Sequence, residues 1–342
     1  SNIRPSNGSF LTYVYVPFEW RQEPDAISYN LQVINNDEII IDIVEESTIY
    51  IETQNLNWDN TYYWSVRPIY ENGEYGDWSS STYFYIQSKQ FPEIEPTVIN
   101  DDLVQDGLVF FGGFAPELSS AIIDHQGNEV WNTGEHYDFE FILNHVNEFG
   151  NIYGLSTENF PRNTGTKINY DLDFIWSAPT TEEQYAVDIH EIKQIPNGNY
   201  MAFVPDYRLG PIPIGNWTFL YQSIGYLADG ITNEYPWIGM RIVEWDEDGN
   251  EVWSWDPFEH FSMEHSDLYG GQWWDLNAQA HDWMHSNAFH FDEDESVIYV
   301  SHRHLSRISK IAYPSGDVIW NIGMPAQYNT GEDNICTDLG SS

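Results

Sequence analysis

Residues 241–257, RIVEWDEDGNEVWSWDP, read as two short strands joined by a polar turn, with the second strand ending in tryptophan. Apolar and polar residues alternate on both sides of an Asp-Gly-Asn turn, which is the pattern of a half-buried hairpin rather than a helix. The unit recurs as AIIDHQGNEVWNTG at 121–134, KINYDLDFIWSAP at 167–179 and KIAYPSGDVIWNIG at 310–323, placing Trp131, Trp176, Trp253 and Trp320 at one equivalent position. The first interval between these tryptophans is 45 residues, within the period of about 40–50 residues of a β-propeller blade. The later intervals of 77 and 67 residues carry a surplus in 207–237 and 257–284, both rich in aromatics, Gly and Asp. Such surpluses read as insertions on one face of the repeat array.

Outward from these units the chain is all-β. Short runs of Val, Ile, Tyr, Phe and Trp bounded by Asn, Asp, Gly and Pro recur throughout, and helical periodicity is nearly absent. The N-terminal part offers strands at 13–20, 28–34, 39–44, 62–70 and 81–86, the size of a small β-sandwich. Within it, FEWRQEPDAISYNLQV and LNWDNTYYWSVRPIYENGEYGDWSSSTYFYI place Trp20, Tyr29, Leu56, Tyr63 to Val66 and Trp78-Ser79 in a pattern that resembles a fibronectin type III domain. The expected organisation is a fibronectin III-like sandwich at 1–89, a linker at 90–97 containing QFPEIEP, and a β-propeller at 98–342. Four Trp-ended units give about four to five blades, so either the propeller is incomplete at the C-terminus, or a second copy or another chain completes it, or it is a smaller propeller.

Composition narrows the function. The chain of 342 residues holds 54 Asp plus Glu against 12 Lys plus Arg, a formal charge of -42 that repels nucleic acid and anionic lipid. With 16% aromatic residues it has ample material for a folded core. The single cysteine, Cys336, provides no disulfide framework. No apolar run approaches membrane-spanning length, so membrane insertion is not expected. The opening SNIRPSNGSF has no signal-peptide pattern and no initiator Met, as in a mature chain or a trimmed one.

Against that acidic background, 281–323 (HDWMHSNAFHFDEDESVIYVSHRHLSRISKIAYPSGDVIWNIG) gathers five histidines, Asn287 and Arg303. Read as strands, His285 and Asn287 project together, and Arg303 shares a face with Tyr299 and Ser301 on the return strand of a hairpin turning at 292–296. Imidazole, amide and guanidinium together make an anion cradle. His302 and His304 fall on the opposite face and read as packing or surface residues. The pair His281 and His285 has helical zinc spacing but lacks the Glu of HExxH and a third ligand, so no metal is assigned. The acidic turns at 246–251 and 292–296 miss the full EF-hand pattern and read as hairpin turns, with structural calcium left open. The aromatic insertion at 207–237 reads equally as walls for an aromatic ring or as a mini-core.

The D-W-x-H-x-N segment at 282–287, the S-x-R at 301–303, the W-x-x-G at 320–323 and an upstream VDIHEIKQIPNGNYMAF at 187–203 together resemble the bacterial arylsulfate sulfotransferase family. The resemblance covers roughly 120–323. It implies a six-bladed propeller with a central site, and sulfuryl transfer from a phenolic sulfate ester to a phenolic acceptor through a sulfated histidine, with no nucleotide donor and no cofactor. Carried over, it implies His190, His285, Asn287 and Arg303 as site residues. The family's nucleophilic histidine follows the W-x-x-G hairpin, and 324–342 hold no histidine, so the nucleophile is expected beyond Ser342. A secreted, periplasmic or cell-surface location is expected. The alternative is a non-catalytic extracellular propeller that binds a protein or glycan.

Overall fold

The structure is a computed structural model that describes residues 2–91, 100, 103, 105–113, 119–133, 140–159, 162–179, 187, 188, 190–263, 265 and 280–323. Among the described residues it is all-β, with 54% strand and 4% helix. The residues cluster into two compact units: Ser1–Leu143 with Tyr170–Asp173, and Asn144–Asn169 with Phe174–Ser342.

The first unit contains β1 (Asn2–Arg4), β2 (Ser9–Leu11), β3 (Val16–Trp20), β4 (Ala26–Asn35), β5 (Glu38–Glu45), β6 (Ile49–Glu52), β7 (Asn60–Tyr70) and β8 (Thr82–Ile86). They form a three-stranded sheet, β1-β3-β6, and a five-stranded sheet, β2-β8-β7-β4-β5. Alternation dictates how the sheets face each other: Val16, Phe18 and Trp20 of β3 are buried, as are Tyr62, Trp64 and Val66 of β7. Phe18 meets Trp64 edge-on at 5.3 Å and Phe84 at 5.8 Å between ring centroids. Each such aromatic contributes roughly 1.5–3 kcal/mol through burial. Trp64 also satisfies its indole N–H on the Pro5 carbonyl at 3.1 Å, so its polar atom is not stranded. Beyond β7, the Ser79 N–H donates to Val66 O at 2.8 Å and the Arg67 guanidinium lies between the rings of Tyr75 and Trp78, at 4.0 and 4.4 Å.

β9 (Leu108–Gly113), β10 (Ser119–Asp124) and β11 (Glu129–Asn132) form a third sheet in this unit. Main-chain bonds join them to the N-terminal strands. Val14 N–H donates to Val130 O and Asn132 N–H to Thr12 O, both at 2.9 Å, and Tyr13 bridges Trp131. Of the expected linker, residues 92–97 lie outside the described residues.

The second unit holds the remaining sheets. One is β12-β13-β14-β15, comprising β12 (Glu140–Val146), which begins in the first unit, then β13 (Ile152–Asn159), β14 (Arg162–Ile168) and β15 (Phe174–Ser177). The next contains β16 (Ile192–Gln194), β17 (Tyr200–Pro211), β18 (Asn233–Trp245) and β19 (Glu251–Trp255) in that order, with β20 (His281–Asp282) pairing parallel to β18. The last runs β21-β22-β23-β24: β21 (Ser286–Asp292), β22 (Val297–His302), β23 (Arg307–Ala312) and β24 (Val318–Gly323).

The repeat read from the sequence has a common backbone geometry. Trp131, Trp176, Trp253 and Trp320 each sit on the outermost strand of a sheet whose strands follow chain order, opposite Ile122, Lys167, Glu244 and Lys310. Beside each tryptophan the register shifts by one residue, so Val130, Ile175, Val252 and Ile319 are the extra residues of four matching bulges.

The insertion at 207–237 is no irregular loop. β17 and β18 continue as a paired ribbon from Tyr200↔Trp245 out to Pro211↔Asn233, and its end carries the short helix α1 (Thr218–Ser223). Tyr221, Tyr235 and Trp237 are buried there, with Tyr221 and Tyr235 meeting edge-on at 5.4 Å. The mini-core reading therefore describes these rings. At the turn of 246–251 the Asp246 carboxylate accepts the N–H groups of Asp248 and Asn250 at 3.0 and 2.8 Å, as an ordinary hairpin turn requires.

Candidate active site

Two of the expected histidines lie just ahead of the first strand of a sheet, His190 before β16 and His285 before β21. Lys193 ties the two segments by donating to Phe289 O at 2.9 Å while pairing with Glu191 at 3.0 Å. The rings of His190 and His285 meet edge to face with centroids 5.0 Å apart.

Each ring is held by an aspartate close by in sequence. Asp188 accepts the main-chain N–H of His190 at 3.0 Å and bonds its Nδ1 at 2.5 Å. Asp282 does the same for His285, accepting its main-chain N–H at 3.1 Å and bonding Nδ1 through the other carboxylate oxygen. His285 adopts φ of +45°, a left-handed conformation that imidazole-bearing residues tolerate in a turn. Its position is therefore outside the strand, and the expected alternation of His285 with Asn287 does not apply. Asn287 instead sits at a register shift between Ser286 and Ala288, half-buried, and among the described residues no hydrogen bond joins it to the two histidines.

Arg303 also leaves the strand pattern. β22 ends at His302 and the chain turns through a single 3-10 turn, Arg303–Leu305. The Arg303 N–H donates to His285 O at 3.1 Å and the His304 N–H to Met284 O at 3.0 Å, which docks this turn against the histidine segment. The Arg303 side chain is exposed, and its charge is close enough to oppose protonation of His190. The turn is backed by the W-x-x-G glycine: a Cβ built on Gly323, at φ of +138°, collides with the Ser306 carbonyl oxygen, so only glycine fits.

Strand alternation, carried past the end of β22, puts His304 among packing or surface residues, and the structure corrects this. His304 stands 4.8 Å from His285 between ring centroids, and its Nδ1 bonds the Asp282 carbonyl oxygen at 2.7 Å. Asp188, Asp282 and His304 are thus the site residues that sequence reasoning misses. The D-x-H of 188–190 and the D-x-x-H of 282–285 are the signals that could have found them. Asp282, His285 and His304 offer donor atoms all within 4.8 Å of one another, a grouping that can hold a cation. The adjoining guanidinium and the engaged Nδ1 atoms favour an anion instead.

The charges follow from these bonds. The Asp188 hydrogen bond raises the His190 pKa above its ordinary value, against the opposing effects of burial and of Arg303. Burial pushes Asp282 upward, but its bond to His285 and the neighbouring imidazoles outweigh this and hold it below the usual carboxylate range.

His302 and His281 play another part. His302 is buried and bonds Ser286 Oγ at 2.7 Å, fixing the Ser286↔His302 register that starts the β21–β22 hairpin. Burial lowers the pKa of both His302 and His281 to about 3. Both folded values lie below that of an unfolded histidine near 6.5, so the unfolded chain binds protons more tightly. Their stabilisation is complete above about pH 6.5 and falls as pH drops towards 3, by roughly 1 kcal/mol per pH unit for each ring. The urea midpoint is expected to fall between about pH 6.5 and pH 5, and His302→Gln should flatten that fall. An unchanged midpoint over this window would contradict neutral burial of the two rings.

Similarity to known proteins centres on this segment. Residues 209–336 match the family model Arylsulfotransferase (ASST). The arylsulfotransferase match contains His285, Asn287, Arg303 and His304 but not Asp188 or His190, and it covers less than half of the chain. No curated protein matched. Among solved structures, a protein of unknown function from Bacteroides caccae is similar at 11% identity and a TM-score of 0.34, over 86% of this chain and 73% of that one. The rhamnogalacturonan lyase YesW is similar at 10% identity and a TM-score of 0.29, over 96% of this chain and 54% of the lyase. The exotype lyase YesX gives 10% identity and a TM-score of 0.28, over 96% and 53%. The chain thus spans about half the length of the two lyases.

Proposed function

We propose that the chain carries the donor- and acceptor-binding part of an arylsulfotransferase site, moving a sulfuryl group from a phenolic sulfate ester to a phenol. The observation that carries this is the pairing of the Asp188–His190 and Asp282–His285 dyads, ring against ring at 5.0 Å, beside Arg303. Most of these residues fall in the part that matches the arylsulfotransferase model.

Sulfuryl transfer resembles phosphoryl transfer in needing charge neutralisation at the equatorial oxygens and correct positioning more than it needs covalent help. Arg303 supplies that charge, with His285 and Asn287 as further polar contacts. His190, whose charged form Asp188 favours, is a further donor to those oxygens. The route runs through a sulfated histidine, and it uses no cofactor. In this reading the Trp-ended sheets are propeller blades and the N-terminal sheets are a fibronectin III-like sandwich. The protein works outside the cytoplasm, where structural calcium would suit its acidic surface. Among the described residues no helix is long and apolar enough to cross a membrane.

The test is acceptor dependence. The full-length protein is expected to release phenol from a chromogenic aryl sulfate faster as a second phenol is added. Release that is absent, or indifferent to every phenol tried, would refute transfer.

A further inference from the structure

His304 completes a row of three imidazoles in which His285 is the middle member, 5.0 Å from His190 and 4.8 Å from His304 between centroids. The acceptors on their Nδ1 atoms differ in kind. His190 and His285 bond carboxylates, whereas His304 bonds the Asp282 main-chain carbonyl at 2.7 Å, with the Asp282 carboxylate farther off at 4.0 Å. A carbonyl oxygen only accepts, so His304 Nδ1 carries the hydrogen and Nε2 is left as the ring's lone-pair atom. That is the arrangement of a general base, whose far nitrogen is oriented by an acceptor behind it. Asp282 therefore acts in two ways, holding His285 with its carboxylate and His304 with its carbonyl.

We propose, resting on the sulfuryl-transfer reading above, that His304 is the general base that takes the proton of the acceptor phenol, with Asp282 as its positioning residue. In the transfer step the phenol oxygen forms a bond to sulfur as its proton passes to His304 Nε2. The bond from sulfur to the group then carrying it breaks, and the electron pair stays with that group. In the donor step, which is the same reaction run in reverse, the phenolate that leaves takes its proton from His304. The ring that gives a proton in the donor step recovers one in the transfer step, so a cycle closes with no net proton change.

The test compares His304→Ala and His304→Gln with the full-length wild-type protein on two sets of acceptors. Phenols that stay protonated at neutral pH need a base, and nitrophenols already ionised do not. Both variants are expected to lose on the order of a hundredfold in rate with protonated phenols. With ionised acceptors and a nitrophenyl sulfate donor, neither of which needs proton transfer, the loss should be smaller by about tenfold or more. Equal losses with both acceptor sets, or no loss with either, would overturn the assignment. Wild-type protein that transfers to no phenol would instead overturn the sulfuryl-transfer reading and this role with it. Independently of activity, long-range proton–nitrogen spectra of histidine-labelled protein should show His304 with Nδ1 protonated. The opposite tautomer would overturn the positioning by Asp282.

Discussion

Replacing Arg303 or His285 with alanine in the full-length protein is expected to lower kcat/KM for aryl sulfate by roughly 100- to 1,000-fold, the usual effect of removing one donor from a preorganised anion site. The two losses have different origins. The Arg303 side chain is exposed and its turn is held by main-chain bonds, so truncation removes charge while the fold remains. Truncating His285 removes a ring that also rests against His190 and His304 and that satisfies Asp282, so the remaining imidazoles lose their spacing as well. Steady-state kinetics on both variants, with circular dichroism to confirm folding, check this. Arg303→Lys should restore only part of the rate, because an ammonium keeps the charge without the planar fork.

Trp255→Ala is expected to destabilise the second unit by about 3–5 kcal/mol, the range for a large buried aromatic. Trp255 is 2% exposed, and its indole N–H donates to Gly316 O at 3.0 Å. Its ring stacks on His260 at 5.0 Å, meets Phe261 edge-on at 5.9 Å and lies over His302 at 6.3 Å. Deleting it opens a cavity beneath His302, and His302 fixes through Ser286 the start of the hairpin that follows His285. Thermal denaturation should report a lower midpoint, and residual activity at low temperature should fall with the loosened hairpin. A variant as stable as wild type would mean that the tryptophan is not the support described.

The repeat is legible in the sequence because its signal is period two with a tryptophan at a fixed place, and strand alternation is a local property. Trp131, Trp176, Trp253 and Trp320 do occupy equivalent edge positions, although the bulge beside each leaves no mark in a single sequence. The hairpin turn at 292–296 is legible from its polar residues and closes between β21 and β22 as expected. The site is legible in its residue types and only partly in its geometry. Period-two reasoning fails where the chain leaves the strand, and both His285 and Arg303 lie just outside one. That is why Asn287 is separated from His285 and why His304 joins it. The long ribbon ending in α1 is hidden for another reason: its cross-strand pairing joins residues up to 45 positions apart, beyond any local pattern.

The most direct measurement follows the sulfuryl group itself. The full-length protein would be incubated with an aryl sulfate labelled in its sulfuryl group and with an excess of a second phenol, and the label then recovered. A site built from the two Asp–His dyads and Arg303 should place the label on the acceptor phenol in proportion to the donor consumed, with transfer lost when His285 and Arg303 are both replaced by alanine. Label found only as free sulfate, donor left unconsumed by folded protein, or transfer undiminished in the double variant would contradict it.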